Sequence, residues 1–297
     1  MYTSAALCLG LCIAGLCSGA GVEPIKLVPV GHFNHPALNE CSGIVPSFLW
    51  EGVFWVHNDS GDEARIFPVD RKGHTVQPEW AGDYQGIRLP TALNIDWEDI
   101  GRDNMGNLLI ADTGNNANLR RDLVVYVVPE PAPREAVLTR PLRTLALRFP
   151  DQLSFPPQQK NFDCEAIFWA DGAIHLLTKH RSDSDTRLYR LDPLPDLDCT
   201  PLSYIGSFPI QGKVTAADIS LDGKLLVVLT YDSINTFERS TPGQNWFTGR
   251  QRWLPIDAGQ CEAICFDRDA LRIANEEGDL FLVPLSELRE PGASAPE

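Results

Sequence analysis

Glu40-Cys-Ser-Gly-Ile44, Asp96-Trp-Glu-Asp-Ile100, Asp163-Cys-Glu-Ala-Ile167, Thr215-Ala-Ala-Asp-Ile219 and Gln260-Cys-Glu-Ala-Ile264 are five versions of one short unit spread along the chain. Tight-turn residues follow each: Glu51-Gly52, Asn104-Met-Gly106, Asp171-Gly172, Asp222-Gly223 and Asp267-Arg-Asp269. A strongly apolar run comes next: Val53–Val56, Leu108–Ala111, Ile174–Leu177, Leu225–Leu229 and Leu271–Ala274. After a polar loop a third strand reads as Ile66–Val69, Leu123–Val128, Leu188–Leu191, Ile234–Phe237 and Leu280–Val283. A weaker fourth is predicted at Val76–Trp80, Arg143–Phe149, Ser203–Ser207 and Gln251–Leu254.

Four antiparallel strands per copy, repeated at this period, predict an all-β chain folded as a single β-propeller of five four-stranded blades, with six as the alternative. The last copy lacks a fourth strand, and the N-terminal side has a spare one at Ile25–Val30. Ring closure by that strand is therefore expected, because it removes two exposed sheet edges. The domain is expected to run over residues 21–288, followed by a disordered tail at 289–297.

The chain has 297 residues and a net charge of −15, which disfavours phosphate backbones and anionic membrane surfaces as partners. Ala5 to Cys17 is apolar but short, and Ser18-Gly19-Ala20 supplies small residues. Residues 1–20 read as a cleaved signal peptide, implying a secreted or periplasmic protein with no membrane insertion afterwards. A short anchor or a lipid anchor are the alternatives, although Leu rather than a small residue precedes both Cys12 and Cys17. Beyond Ala20, five cysteines remain, so at least one is unpaired within the chain, and no Cys-x-x-Cys supports zinc. Cys41, Cys164 and Cys261 share one repeat position with Trp97 and are expected as small buried hydrophobes.

In a propeller the start of each innermost strand and the end of the second converge on one mouth of the channel. The openings bring Glu40, Asp96, Glu98, Asp163, Glu165, Asp218 and Glu262 there, and the loops bring Asn58, Asp59, Asp112, Asn115, Asn116, Asp232, Asn275 and Glu276. Carboxylates crowded into one space need a counter-charge. Calcium accepts mixed Asp, Glu and Asn oxygens. The candidate metal ligands are Asn58, Asp96, Glu98, Asp112, Glu165, Glu262 and Asn275. Glu98, Glu165 and His180 are the candidate proton-moving residues, and Lys179 and Arg181 the candidate anion binders. His57 is a further candidate base. The competing explanation is that these acids and amides cap strands and loop amides. The ring is irregular, with Ser42 and Ala217 where other copies carry Glu.

Glu40-Cys-Ser-Gly-Ile44, Asn58-Asp-Ser-Gly61, Asp96-Trp-Glu-Asp-Ile100 and Asp112-Thr-Gly-Asn-Asn116 resemble motifs of exported bacterial propellers. More distantly, the layout is similar to the calcium-dependent gluconolactonase and paraoxonase group and to esterase-like phytase propellers. That resemblance implies a catalytic calcium held by an inner-mouth Glu (Glu98, Glu165 or Glu262) with Asn58, Asp112 and Asn275. The group is mostly six-bladed, whereas five copies are present here. Two functions follow as expectations. One is a metal-dependent hydrolase of an ester, lactone or phosphoester. The other is a non-catalytic exported propeller that binds a small molecule or a protein on its acidic face. The sequence does not specify an oligomeric state.

Overall fold

The structure, a computed structural model, describes residues 23–192 and 198–291. The signal segment read at 1–20 lies outside these residues, as do the final six. The described chain forms five sheets of four or five strands, one per repeat, with two single-turn 3-10 segments, Trp246–Thr248 and Leu285–Glu287. This is a five-bladed β-propeller, and the six-bladed alternative falls away.

The innermost strands are Cys41–Pro46, Trp97–Arg102, Asp163–Ala170, Val214–Ile219 and Cys261–Asp267. Each packs against the next around the ring, and the fifth packs against the first. Behind them run Phe54–Asn58, Asn107–Asp112, Ala173–Lys179, Leu225–Thr230 and Ala270–Asn275, which are covered on both faces and so read as continuous apolar runs. The core is a set of layers between neighbouring blades. Trp97 fills the place that cysteine holds in three other blades and is fully buried, edge-on to His57 at 5.4 Å. Burying an indole of that size removes roughly 4–6 kcal/mol of exposed apolar surface before conformational cost. Gly43 makes the room: a Cβ there would lie 2.6 Å from His57 Nε2 and 2.9 Å from the Ile100 nitrogen.

Three sequence expectations need correcting. Ring closure does come from the N-terminal segment, but the strand that completes blade five is Gly31–His32, with Gly31 opposite Leu280. Ile25–Lys26 instead lies parallel to Arg250–Asp257 on the outer edge of blade four. Pro29 has no N–H to offer a ladder, so the expected single strand at Ile25–Val30 splits around it. In blade one the fourth strand is Ile87–Arg88, not Val76–Trp80. The Val76 N–H instead donates to Pro68 O at 2.8 Å in a local turn, and Pro78 stops any extension.

The third correction is one of register in blade four. Every innermost strand carries a β-bulge at the mouth, between Cys41 and Gly43, Trp97 and Ile100, Cys164 and Ala166, Val214 and Ala216, and Cys261 and Ala263. Val214 and Thr215, not Ala217, therefore match the cysteine and glutamate positions of the other blades. Lys213 stands where Asp96 and Asp163 stand. Asp218 drops from the mouth into the channel, where its carboxylate accepts the Phe266 N–H of blade five at 2.8 Å. Burial raises its pKa to about 6.

At the bulge of blade two, Asp99 turns into the channel and is fully buried. Its carboxylate accepts N–H groups from Ile100 at 2.8 Å, Ile167 at 3.0 Å and Ala217 at 3.2 Å. One side chain thus ties together the inner strands of blades two, three and four. It fits because the residues at the same depth elsewhere are Gly43, Ala166, Ala216 and Ala263. Just past Leu288, Arg289 exchanges two backbone bonds with Trp253 in an isolated bridge.

Asp99→Ala leaves the Ile167 and Ala217 N–H groups buried without acceptors. Each such group costs about 1–3 kcal/mol, so a loss of about 2–6 kcal/mol is expected in urea unfolding. Asp99→Asn, which keeps an acceptor oxygen, is expected to lose less.

Candidate functional site

The five bulges decide what faces the channel mouth. A bulge inserts an unpaired residue and re-aims its side chain. The residues placed there are Ser42, Glu98, Glu165, Thr215 and Glu262. Around the mouth, Asp59, Asp96 and Glu98 bring one carboxylate oxygen each within 4.8 Å of one another, and so do Glu98, Asp163 and Glu165. Glu98 belongs to both groups. It is only 5% exposed, and its side chain has no hydrogen-bond or ion-pair partner among the described residues. Burial raises its pKa well above the carboxylate range, and Glu165, Asp59, Asp163 and Asp96 raise it further. Gly114 closes over the pair. A Cβ there would fall 2.0 Å from Glu98 Oε1 and 2.5 Å from Asp96 Oδ2.

The other half of the mouth is already compensated. Lys179 Nζ donates to Glu165 Oε2 at 3.0 Å, and Arg181 Nη2 lies 2.7 Å from Asp163 Oδ2. Burial opposes the charge on Lys179, but Glu165 and Glu262 outweigh it and hold its pKa above the ordinary value. The ring of Tyr231 faces the same ammonium at 5.0 Å. Glu165 is itself raised by burial and then by Asp163, with Lys179 pulling the other way. The mouth is therefore divided into acids with no ion-pair partner among the described residues, Asp59, Asp96 and Glu98, and acids carrying cations, Asp163 and Glu165.

Asn58, Asp112 and Asn275 occupy one repeat position, the last residue of the second strand, opposite Cys41, Trp97 and Cys261. Their polar atoms are directed at loop backbone. Asn58 Oδ1 accepts from Glu40 N at 3.4 Å, and Asp112 Oδ1 from Asp96 N at 3.1 Å. Asn275 Oδ1 accepts from Asp279 N at 2.8 Å while its Nδ2 donates to Ala258 O at 3.0 Å. Asp112 also meets Arg120 Nη1 at 2.9 Å. His180 lies between two residues that point into the mouth and so points away from it. Its Nδ1 meets Asp183 Oδ1 at 2.5 Å, and burial lowers its pKa. His57 is packed under Gly43 and Trp97, also lowered by burial. The five cysteines among the described residues are unpaired, four of them buried. Burial pushes Cys41, Cys164 and Cys261 up to about 12. Gly114 and Tyr231 were not legible as site residues, since nothing in a lone Gly or Tyr marks what stands opposite.

The fold and mouth define a five-bladed β-propeller with a carboxylate-lined channel entrance. No protein-family model matches the chain, and no curated protein matches it. Among solved structures, virginiamycin B lyase from Staphylococcus aureus is similar at 14% identity and a TM-score of 0.41, over 85% of this chain and 68% of that one. A catalytically inactive variant of that lyase with quinupristin gives the same figures. The Cps50 (Swd1) β-propeller domain from Myceliophteria thermophila is similar at 11% identity and a TM-score of 0.41, over 87% of this chain and 99% of that one. Likenesses this distant carry no argument about activity, and the blade count rests on the strand pairing.

The mouth has a signature in stability. Asp96 is raised to about 6, chiefly by burial and then by Asp59, and Glu262 to about 7 by burial against the pull of Lys179. A raised carboxyl holds its proton more tightly folded than unfolded. This stabilisation is full below the unfolded values and is lost as pH rises through the folded ones. Thermal midpoints in chelator are expected to fall between about pH 4 and about pH 7. Asp96→Asn should flatten the lower part of that slope, and Glu262→Gln the upper part.

Proposed function

We propose that the mouth binds a divalent cation, calcium, through Asp59, Asp96 and Glu98, and that the protein is an exported metal-dependent hydrolase of an ester, lactone or phosphoester. The single observation that supports this is Glu98, buried, bare of donors and common to both carboxylate groups. A hard cation with oxygen ligands suits three carboxylates brought this close together. A bound divalent cation supplies positive charge that polarises a carbonyl or phosphoryl oxygen. The chain's own residues do the rest. Lys179 and Arg181 stand beside this acid half and orient an anionic or carbonyl oxygen. Glu165, held against Lys179, is the carboxylate placed to move a proton. Export is inferred from the apolar leader at residues 5–17.

A non-catalytic binding role is the second reading. It is favoured by Leu93 and Ile95, exposed apolar residues on the loop that leads into Asp96.

Calcium titration of chelator-treated protein is expected to raise the thermal midpoint, with the increase lost in Glu98→Gln and in Gly114→Ala. Turnover across a panel of esters, lactones and phosphoesters should then depend on calcium and on Glu98. Protein that neither binds calcium nor loses stability in chelator would sink the proposal. Calcium binding with no turnover across the panel selects the binding role.

A further inference from the structure

On the same face, towards the rim of blade two, lies a cavity of about 210 Å³ separate from the acid centre. It forms where the loop after the second strand of blade two meets the connection to blade three. At about 30 Å³ per liquid water it has room for about seven waters, or for a small organic molecule. Leu123, Leu147, Phe149 and Phe155 supply its apolar lining. Arg120, Arg121 and Arg148 line it as well, together with Gln152 and Cys199.

That lining runs against the composition of the protein, which has 25 basic and 40 acidic residues. Arg120 is anchored by Asp112 at 2.9 Å and Asp122 at 3.2 Å, yet its Nη2 is buried with no partner. Arg121 and Arg148 meet no carboxylate among the described residues. Arg121 instead lies 4.0 Å from the centroid of the Phe155 ring, which holds its planar fork at the cavity. Guanidinium groups present paired donors that match carboxylate and phosphate oxygens. Apolar side chains beside such donors select an anion with a hydrophobic body, and a few polar groups on an apolar lining are the ordinary make-up of a ligand site.

We infer that this cavity is a binding site for a small amphipathic organic anion, a carboxylate or phosphate monoester joined to an aromatic or aliphatic group. Arg121 and Arg148 hold the anionic head, the fixed Arg120 supplies the inner donor, and the Leu and Phe side chains cover the body. The site does not depend on a cation at the mouth.

Isothermal titration calorimetry in chelator, with phenyl phosphate, benzoate and the neutral benzyl alcohol as probes, tests it. Binding of either anion but not of benzyl alcohol is expected, weakening as salt is added. Stronger binding of phenyl phosphate assigns a phosphate head, and stronger binding of benzoate a carboxylate head. The double variant Arg121→Ala with Arg148→Ala removes two exposed side chains from the surface. It should keep the wild-type thermal midpoint and lose at least about tenfold in affinity. Absence of anion binding overturns the inference. So does equal binding of benzyl alcohol, or unchanged affinity in the double variant, which would move the anion to Lys179 and Arg181.

Discussion

A buried carboxylate in the channel is the constraint on which much of this molecule turns. Five blades make a narrow ring, and the innermost strands pack directly against their neighbours. Backbone groups facing the axis at a bulge have no ladder partner and little water. Asp99 supplies acceptors for such groups from three strands at once. Smaller side chains repeat the device between neighbours. Ser42 donates to Glu98 O at 2.6 Å, Thr113 to Cys164 O at 3.0 Å and Thr215 to Cys261 O at 2.9 Å. Buried polar groups that are fully paired rigidify the structure around them, and here they set the mutual position of the blades.

The same bulges create the site. Each one is needed where the strand turns away from the axis, and each leaves a residue aimed at the mouth. In blades two, three and five that residue is glutamate, so the ring geometry forces carboxylates together whatever their role. The chain then compensates them unevenly. Lys179 and Arg181 satisfy Asp163 and Glu165, while Asp59, Asp96 and Glu98 receive no such partner. Close carboxylates without a counter-charge are destabilising unless protonated or bound to a cation. That imbalance is the feature on which the proposed cation site rests.

How much of this was legible in the sequence depends on the residue. Asp96, Glu98, Asp163, Glu165, Lys179 and Arg181 were found because each repeat unit is short and its acids stand next to the invariant strand signal. Blade four was misplaced by two residues, because Asp218-Ile219 imitates the acid–Ile spacing of the other copies, while the strand pairs through Val214 and Ala216. Asn58, Asp112 and Asn275 look like ligands in a list of oxygens. Only the fold shows that one oxygen of each accepts a backbone N–H, from Glu40, Asp96 and Asp279 respectively. Asp99 is not legible in the sequence, because an acid beside an acid carries no sign of which one turns inward.

By itself the sequence determined the all-β class, the count of five copies, the closure by the N-terminal segment and the face on which the acids gather. These follow from periodicity and turn chemistry, which act between residues close in the chain. Tertiary structure alone decided the split of that face into bare and compensated acids, the cover of Gly114 over Glu98, and the arginine-lined cavity at the rim. Those depend on distances between side chains from different blades. Such distances are set by the width of the ring and by the extra residue in each inner strand, and neither is written in any local stretch of sequence.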